Sequence, residues 1–268
     1  MSAGGDAVRH YDAKYAHEAG DHEVALVAPT ALPTDRYQAC VSALLPRLAG
    51  GDVLEIGAGD GRIARSLAAA GASFASYTAT ELSSSRLAGL RARLGDDPRF
   101  RVEALDLDHP PDPGARYDAV LLVALVEHLF DPLRAMAAVR RWLRPGGFVY
   151  LDTPNVAKYT RRLKLLAGRF PSTASRDEGL VTYAGAPVDL HDEGHLHYFT
   201  FRSLSRMLTE RCGFARVERV PYATGPRLLG ARAGHWLARL RPELFSELAV
   251  LAYAGEAASD SSRPRASL

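Results

Sequence analysis

The sequence predicts an α/β fold built on a mostly parallel sheet. Three observations carry this. Short apolar strands alternate with amphipathic helices from residue 52 onward. Glycine or proline–glycine signals close those helices, at Gly71, Gly95 and Pro145-Gly146-Gly147. Tyr117 to Ala124 is a nearly unbroken apolar run, the pattern of a strand covered on both faces.

Taken in order, Asp12 to Glu18 is a short polar helix candidate. Pro33 to Leu48 carries apolar residues at helical spacing (Cys40, Val41, Leu44, Leu45, Leu48), with Gly50-Gly51 as its stop. The first strand, Asp52 to Ile56, runs into a glycine loop and a helix over Gly61 to Ala70. Phe74 to Thr80 is the second strand, Ser83 to Leu94 a helix capped by Ser83, and Phe100 to Leu105 the third strand. A proline-rich loop, His109 to Gly114, leads into the Tyr117 strand. Asp131-Pro132 then opens a helix to Leu143, with Asp at the cap and Pro at the first position. Phe148 to Asp152 is the fifth strand. Right-handed crossovers through the intervening segments make these five parallel.

After Thr153-Pro154-Asn155 the rhythm breaks. Ala157 to Ala167 is helical and basic, and Arg169 to His197 is polar and irregular, long enough to be a lid or binding loop. Thr200 to Arg211 is a helix capped by Thr200, Phe214 to Val220 alternates like a strand, Gly225 to Leu240 is arginine-rich and helical, and Leu248 to Ala254 is a last apolar strand. The expected organisation is therefore a helical N-terminal cap over residues 1–50 and one domain over 51–255. That domain carries a lid insertion at about 155–199 and a helical insertion at about 225–241, and residues 256–268 form a disordered tail.

Composition narrows the function. The 268 residues are 47% hydrophobic and 24% charged, an ordinary globular balance. The net charge of +2 is too small to argue for nucleic acid. The two cysteines, Cys40 and Cys212, cannot make a disulfide framework and read as reduced thiols of a cytoplasmic protein. The longest apolar run, Ala119 to Val126, is eight residues, so no membrane span is expected. The first residues have no basic or apolar region of an export signal. Only three of the 33 basic residues are lysine, which points to coding bias in a GC-rich bacterial genome.

Val53-Leu54-Glu55-Ile56-Gly57-Ala58-Gly59-Asp60-Gly61 occupies the first strand–helix junction. Glycines there let the backbone turn sharply and approach a ligand, and the helix behind presents unpaired N–H groups. The spacing is G-x-G-x-G. The dinucleotide fingerprint would need glycine where Arg62 stands, and the phosphate loop G-x-x-x-x-G-K-[ST] is absent. A tight βα turn is the alternative reading. Two acids sharpen the first one. Glu81, 26 residues after Glu55, lies just past the second strand, where a carboxylate accepts both hydroxyls of a ribose. Asp106 follows the third strand, where an acid meets an adenine amino group. All of these fall at the carboxyl ends of neighbouring strands, where open α/β sheets bind ligands.

With these residues the chain resembles a class I S-adenosylmethionine-dependent methyltransferase, from about Val53 to Gly213 and on to the final strand. Glu55 to Gly61 is similar to the family's first motif and Thr80-Glu81-Leu82-Ser83 to its second. Tyr117 to Leu122, Glu127-His128-Leu129, Asp131-Pro132 and Leu143-Arg144-Pro145-Gly146-Gly147 follow in the usual order. The resemblance implies a Rossmann-like seven-stranded, mostly parallel sheet with helices on both faces, its last strand antiparallel. It implies S-adenosylmethionine as cofactor, S-adenosylhomocysteine as product, and cofactor contacts at Glu55, Gly57, Ala58, Gly59, Gly61, Glu81, Leu82, Asp106, Leu107 and Val123. Tyr15, with Tyr11, would close over the cofactor from an N-terminal helix, although simple packing explains both equally well. Thr153-Pro154-Asn155 and His195-Leu196-His197-Tyr198-Phe199-Thr200 resemble a bacterial branch that methylates sugars, polysaccharide precursors and natural products.

A carbohydrate hydroxyl is a poor nucleophile when neutral, so a positioned base should help, typically by about 10²–10⁴-fold. The candidates are His195 first, because Gly194 permits close backbone approach, then His197 and His191. The bland alternative is a loop anchored by hydrogen bonds to Asp189, Asp192 and Glu193. His128 reads either as packing or as a site residue. Some methyltransferases hold a divalent metal with Glu-x-x-Glu-His. Here the first glutamate is replaced by Ala124, which leaves Glu127, His128 and a lid histidine as a thinner set suited to magnesium or manganese. The basic residues Lys158, Arg161, Arg162, Lys164 and Arg169 read as a solvated lid face or as a contact for an acidic or phosphorylated acceptor or a membrane surface. Trp236, Leu237, Leu240, Leu244 and Phe245 suit packing or a homodimer contact. The expected activity is O-methylation of a hydroxyl on a sugar, oligosaccharide or natural product. N- or C-methylation of a small metabolite and a non-catalytic cofactor-binding module are the alternatives.

Overall fold

The computed structural model describes residues 9, 12–13, 24–111, 116–174, 194–223 and 230–256. At its centre is a seven-stranded sheet in the order β3-β2-β1-β4-β5-β7-β6. The strands are β1 (Ala49–Ile56), β2 (Ser73–Glu81), β3 (Phe100–Ala104), β4 (Tyr117–Val123), β5 (Leu143–Thr153), β6 (Arg216–Arg219) and β7 (Leu248–Tyr253). The first five pair in parallel, and β7 runs antiparallel to both β5 and β6. Strand order reverses between β1 and β4, the position at which such sheets open a crevice at their carboxyl edge.

Helices cover both faces, and the alternation of side chains along each strand divides the core in two. Val53, Tyr77, Ala79, Leu121, Tyr150 and Leu251 pack on one side with α1 (Arg36–Leu44) and α2 (Arg62–Ala69). Leu54, Ile56, Val120, Leu122, Val149, Leu151 and Val250 pack on the other with α4 (Pro132–Trp142). Between them in sequence lies α3 (Ser84–Leu94), and α5 (Tyr159–Leu166) and α6 (Phe201–Arg206) follow. The caps are local and legible. Asp35 accepts from the N–H groups of Tyr37 and Gln38, Asp131 from Arg134, and Thr200 forms a capping box with Ser203. Beyond α6 the chain widens into a π-helical turn over Met207–Arg211, and α7 (Gly230–Leu240) and α8 (Pro242–Phe245) precede β7.

Two expectations need correction. Gly50-Gly51 do not stop α1, which ends at Leu44; they open β1, Gly50 taking φ +84°. Leu143 is not the end of α4 but the start of β5, paired with Tyr117. The next pair is Ala119 with Phe148, so β5 carries three extra residues there as an irregular bulge. Pro145-Gly146-Gly147 fills it, because a Cβ on Gly147 would stand 3.0 Å from the Asp118 carbonyl oxygen. Of the expected N-terminal helix, Asp12 and Ala13 are helical; residues 14–18 lie outside the described residues, as do residues 175–193 of the expected lid and the tail from 257 on. Among the described residues, no helix is long and apolar enough to cross a membrane.

Two polar ties position the site. Asp12 accepts from the Ser83 hydroxyl at 2.8 Å, the Ser84 N–H at 2.7 Å and the Ser84 hydroxyl at 2.6 Å, at the N-terminus of α3. Those bonds, Ser84's first, hold its carboxyl below the usual carboxylate range. Asn155, buried just after β5, donates to the carbonyls of Glu243 and Ser246, both at 3.0 Å, and accepts from the Ala157 N–H at 2.9 Å. Glu247 then takes the Asn155 N–H, Lys158 and Arg161 together. Two of the basic residues read as a contact for an acidic acceptor are thus committed to an internal ion pair.

Asn155→Ala leaves the Glu243 and Ser246 carbonyls and the Ala157 N–H without their partner at once. The expected cost is about 2–4 kcal/mol, read as a fall in the thermal unfolding midpoint of order 5–15 °C by calorimetry.

Candidate active site

The carboxyl edge of the sheet is assembled from the loops after β1, β2, β3 and β4. In the first loop Gly57, Gly59 and Gly61 take φ of +72°, +56° and +75°, conformations that side chains rarely adopt. Space enforces the choice at Gly61, where a Cβ would sit 2.9 Å from Leu90 Cδ1. Glu81, 7% exposed, lies opposite. Its carboxylate accepts from the Gly59 N–H at 3.0 Å and from the Leu82 N–H at 2.8 Å, so it spans the glycine loop and the turn after β2. The Ala58 N–H donates to the Thr80 carbonyl at 2.8 Å. Arg86, in the first turn of α3, reaches to 4.0 Å from the Glu81 carboxylate.

Asp106 stands past β3. One oxygen accepts from the Asp108 N–H at 3.0 Å, and the other lies 2.9 Å from His109 Nδ1, a partner that the sequence reading did not supply. The Leu107 side chain is buried in the core beneath, beside Val126 and Leu129, which leaves its main chain as the part near the rim. Val123 closes β4, paired with Asp152.

Glu55 is 2% exposed and sits under the glycine loop, where its carboxyl accepts from the Tyr77 hydroxyl at 2.7 Å. Burial pushes its pKa up to about 8; the Tyr77 bond opposes the shift, and the charges of Asp60 and Glu81 add to it. It therefore supports the loop from below as a neutral acid.

After β4 the backbone is strained. Ala124 takes φ +53°, held by its N–H donating to the Asp152 carbonyl at 2.9 Å. Leu125 then lies over the glycine loop, 3.4 Å from where a Gly57 Cβ would be. The next turn, Val126–His128, brings two site residues to the rim. Glu127 is 1% exposed; its Oε2 accepts from the Thr153 hydroxyl at 2.9 Å, while its buried Oε1 has no hydrogen-bond partner. Burial raises its pKa to about 7. The Glu127 carbonyl accepts from the N–H groups of Leu196 at 2.8 Å and His197 at 3.1 Å.

This bonding seats His195 against His128, with ring centroids 4.6 Å apart and planes at 78°. His128 Nδ1 is 3.0 Å from the Gly194 carbonyl, so it carries the proton, and His195 Nδ1 is 2.6 Å from the Thr173 hydroxyl. One ligand atom from each of Glu127, His128 and His195 lies within 4.8 Å of the other two. His197 turns away to pack on Phe199, ring centroids 6.3 Å apart. His191 and Tyr15 lie outside the described residues. Thr173 had no signal in the sequence, and Thr153 showed only as part of a motif.

Asp152, fully buried at the end of β5, accepts from the Tyr222 hydroxyl at 2.8 Å and lies 3.4 Å from Arg36. Its pKa rises to about 6, because burial outweighs the Arg36 charge.

A family model described as a methyltransferase domain matches residues 33–219. This chain belongs to the methyltransferase domain family. Among curated relatives, a ubiquinone biosynthesis O-methyltransferase of Nitrosospira multiformis is 34% identical over 41% of this chain and 45% of its own length. One of Xanthomonas oryzae pv. oryzae is 37% identical over 40% of this chain and 45% of its own length. The matches thus span less than half of these relatives. The structure of an S-adenosylmethionine-dependent methyltransferase from Mesorhizobium loti, 22% identical, superposes with a TM-score of 0.55 over 81% of this chain and 96% of that one. The shared architecture is the seven-stranded sheet.

A carboxyl that the fold keeps neutral favours folding fully below its unfolded pKa, near 4.5, and that advantage is lost as pH rises through about 8. Glu55→Gln keeps an acceptor for Tyr77 and removes the titration. The variant should gain on the parent between pH 6 and pH 9 by of order 2 kcal/mol, each pKa unit being worth about 1.4 kcal/mol. Denaturant unfolding across that range checks it.

Proposed function

We propose that the protein methylates a hydroxyl of a small molecule, a sugar, oligosaccharide or natural product, with S-adenosylmethionine as donor. The observation that carries the reading is the packing of His195 against Glu127 and His128, one turn from the residue that lies on the glycine loop. The curated relatives, named as O-methyltransferases, support an oxygen acceptor.

The residues at the rim fit the donor. Three left-handed glycines leave room at β1 for close backbone approach, and the Glu81 carboxylate faces the Gly59 N–H across that space. Glu81 accepts the ribose hydroxyls, Asp106 accepts from the adenine amino group, and the glycine loop lies along the remainder. When bound, the donor would supply an activated methyl group on a sulfonium, passed in line to the acceptor oxygen as the carbon–sulfur bond breaks and S-adenosylhomocysteine is released. His195 takes the hydroxyl proton at Nε2, while Thr173 and His128 fix its ring. Alignment supplies the rest, and well-oriented reactants gain roughly 7–11 kcal/mol.

Two outcomes check the reading. Glu81→Ala should weaken S-adenosylhomocysteine binding by about 10–100-fold, the worth of hydrogen bonds to a charged group at roughly 1.5–3 kcal/mol, measured calorimetrically. With an acceptor found by mass shift in a screen of sugars, phenols and hydroxylated metabolites, His195→Ala should lower turnover by about 10²–10⁴-fold with cofactor affinity kept. Full turnover in both His195→Ala and His197→Ala would remove the base.

A further inference from the structure

We propose that Glu127, His128 and His195 form a binding site for a divalent first-row transition ion. The proposal rests on the reading above for the place of the acceptor and changes the part that His195 plays there.

Four features converge. The three side chains already bring one ligand atom each within 4.8 Å of the others. Oxygen and nitrogen ligands about 2.0–2.2 Å from a shared ion lie roughly 3–3.5 Å apart, so an approach of about 1.8 Å at most closes the site. Glu127 Oε1 is a buried oxygen with no hydrogen-bond partner, in a residue only 1% exposed. Such an atom costs stability unless something satisfies it, and a cation does so.

The outer contacts are those of a metal centre. His128 Nδ1–H donates to the Gly194 carbonyl, which fixes the tautomer and puts the ring's lone pair on Nε2. Thr173 holds His195 Nδ1, and Thr153 donates to the second oxygen of Glu127. Each proposed ligand thus has its other polar atom occupied by a neighbour, the arrangement that orients first ligands and sharpens affinity.

Two imidazoles and one carboxylate select the ion. Magnesium prefers an all-oxygen octahedron and keeps its waters, whereas imidazole suits manganese, iron, cobalt and zinc. Of the magnesium or manganese expected from the sequence, this ligand set disfavours magnesium. Three protein ligands leave coordination positions for water or for an acceptor oxygen. An ion there holds that oxygen at the donor and acidifies its hydroxyl, and His195 then serves as ligand rather than base.

The test uses the full chain and cobalt(II), whose d–d bands report coordination by nitrogen and oxygen. Titration of the protein should give a saturable visible spectrum, displaced by zinc and not by millimolar magnesium. Glu127→Gln and His195→Ala should abolish it. Thr173→Val, which keeps the ligands, should weaken cobalt binding by about 10–100-fold; this milder variant, checked for folding by circular dichroism, covers the case in which the others unfold. Absence of the spectrum in folded protein that still binds S-adenosylhomocysteine overturns the site, as does a spectrum unchanged in folded Glu127→Gln and His195→Ala. Displacement by magnesium overturns the choice of ion. Methyl transfer that survives a chelator yet falls in His195→Ala overturns the metal and keeps the histidine base. Loss of cofactor binding in the unmodified chain instead overturns the functional reading and leaves the cobalt result standing on its own.

Discussion

The Glu127 carbonyl accepts two N–H donors from a segment nearly seventy residues downstream, and the rest of the rim depends on that contact. It draws Leu196 and His197 onto the turn after β4 and so delivers His195 beside His128. The same residue reaches inward with its side chain to Thr153 at the end of β5. One buried glutamate therefore joins two adjacent strand ends to the loop that supplies the histidines. Burying it is costly, since a carboxyl deprived of water is pushed toward its neutral form. The fold tolerates this because the main-chain bonds hold the turn in place whatever the charge of the side chain.

The edge carries several such costs together. Glu55 and Asp152 are both buried, and both have raised pKa values for the same reason. Ala124 sits at positive φ between them, pinned by the Asp152 carbonyl. Strain and desolvated acids concentrate where strands end and loops begin, while the strands below are filled mainly by Leu, Val, Ile and Tyr. That separation of a rigid floor from a costly rim is what an open α/β sheet offers a ligand.

Most of the floor was legible in the sequence. Strand alternation, the caps at Ser83, Asp131 and Thr200, and the acids after β2 and β3 are all written in local spacing. What local spacing cannot express is a contact between distant segments. His128 and His195 are 67 residues apart; the resemblance to metal-holding methyltransferases suggested pairing His128 with a lid histidine, but local spacing does not say which one. Thr173, His109 as the partner of Asp106, and Tyr77 beneath Glu55 were missed for the same reason. Register irregularities were also hidden: Pro145-Gly146-Gly147 reads as a helix stop, and only the pairing of Tyr117 with Leu143 shows that the strand has already begun. Lys158 and Arg161 read as an open basic face until Glu247, far along the chain, turns out to hold them both.

Asp12 has a bearing on how this protein should be handled. Its carboxylate sits on Ser83 and Ser84, immediately after the turn that Glu81 and Leu82 make at the rim. A chain started after residue 13, or one with a bulky tag fused there, would leave the first turn of α3 without its external acceptor and loosen the turn that carries Glu81 and Leu82. Trimming the N-terminus to aid crystallisation would thus blunt ligand affinity from a distance, and a weak signal from such a fragment would reflect the cut rather than the enzyme.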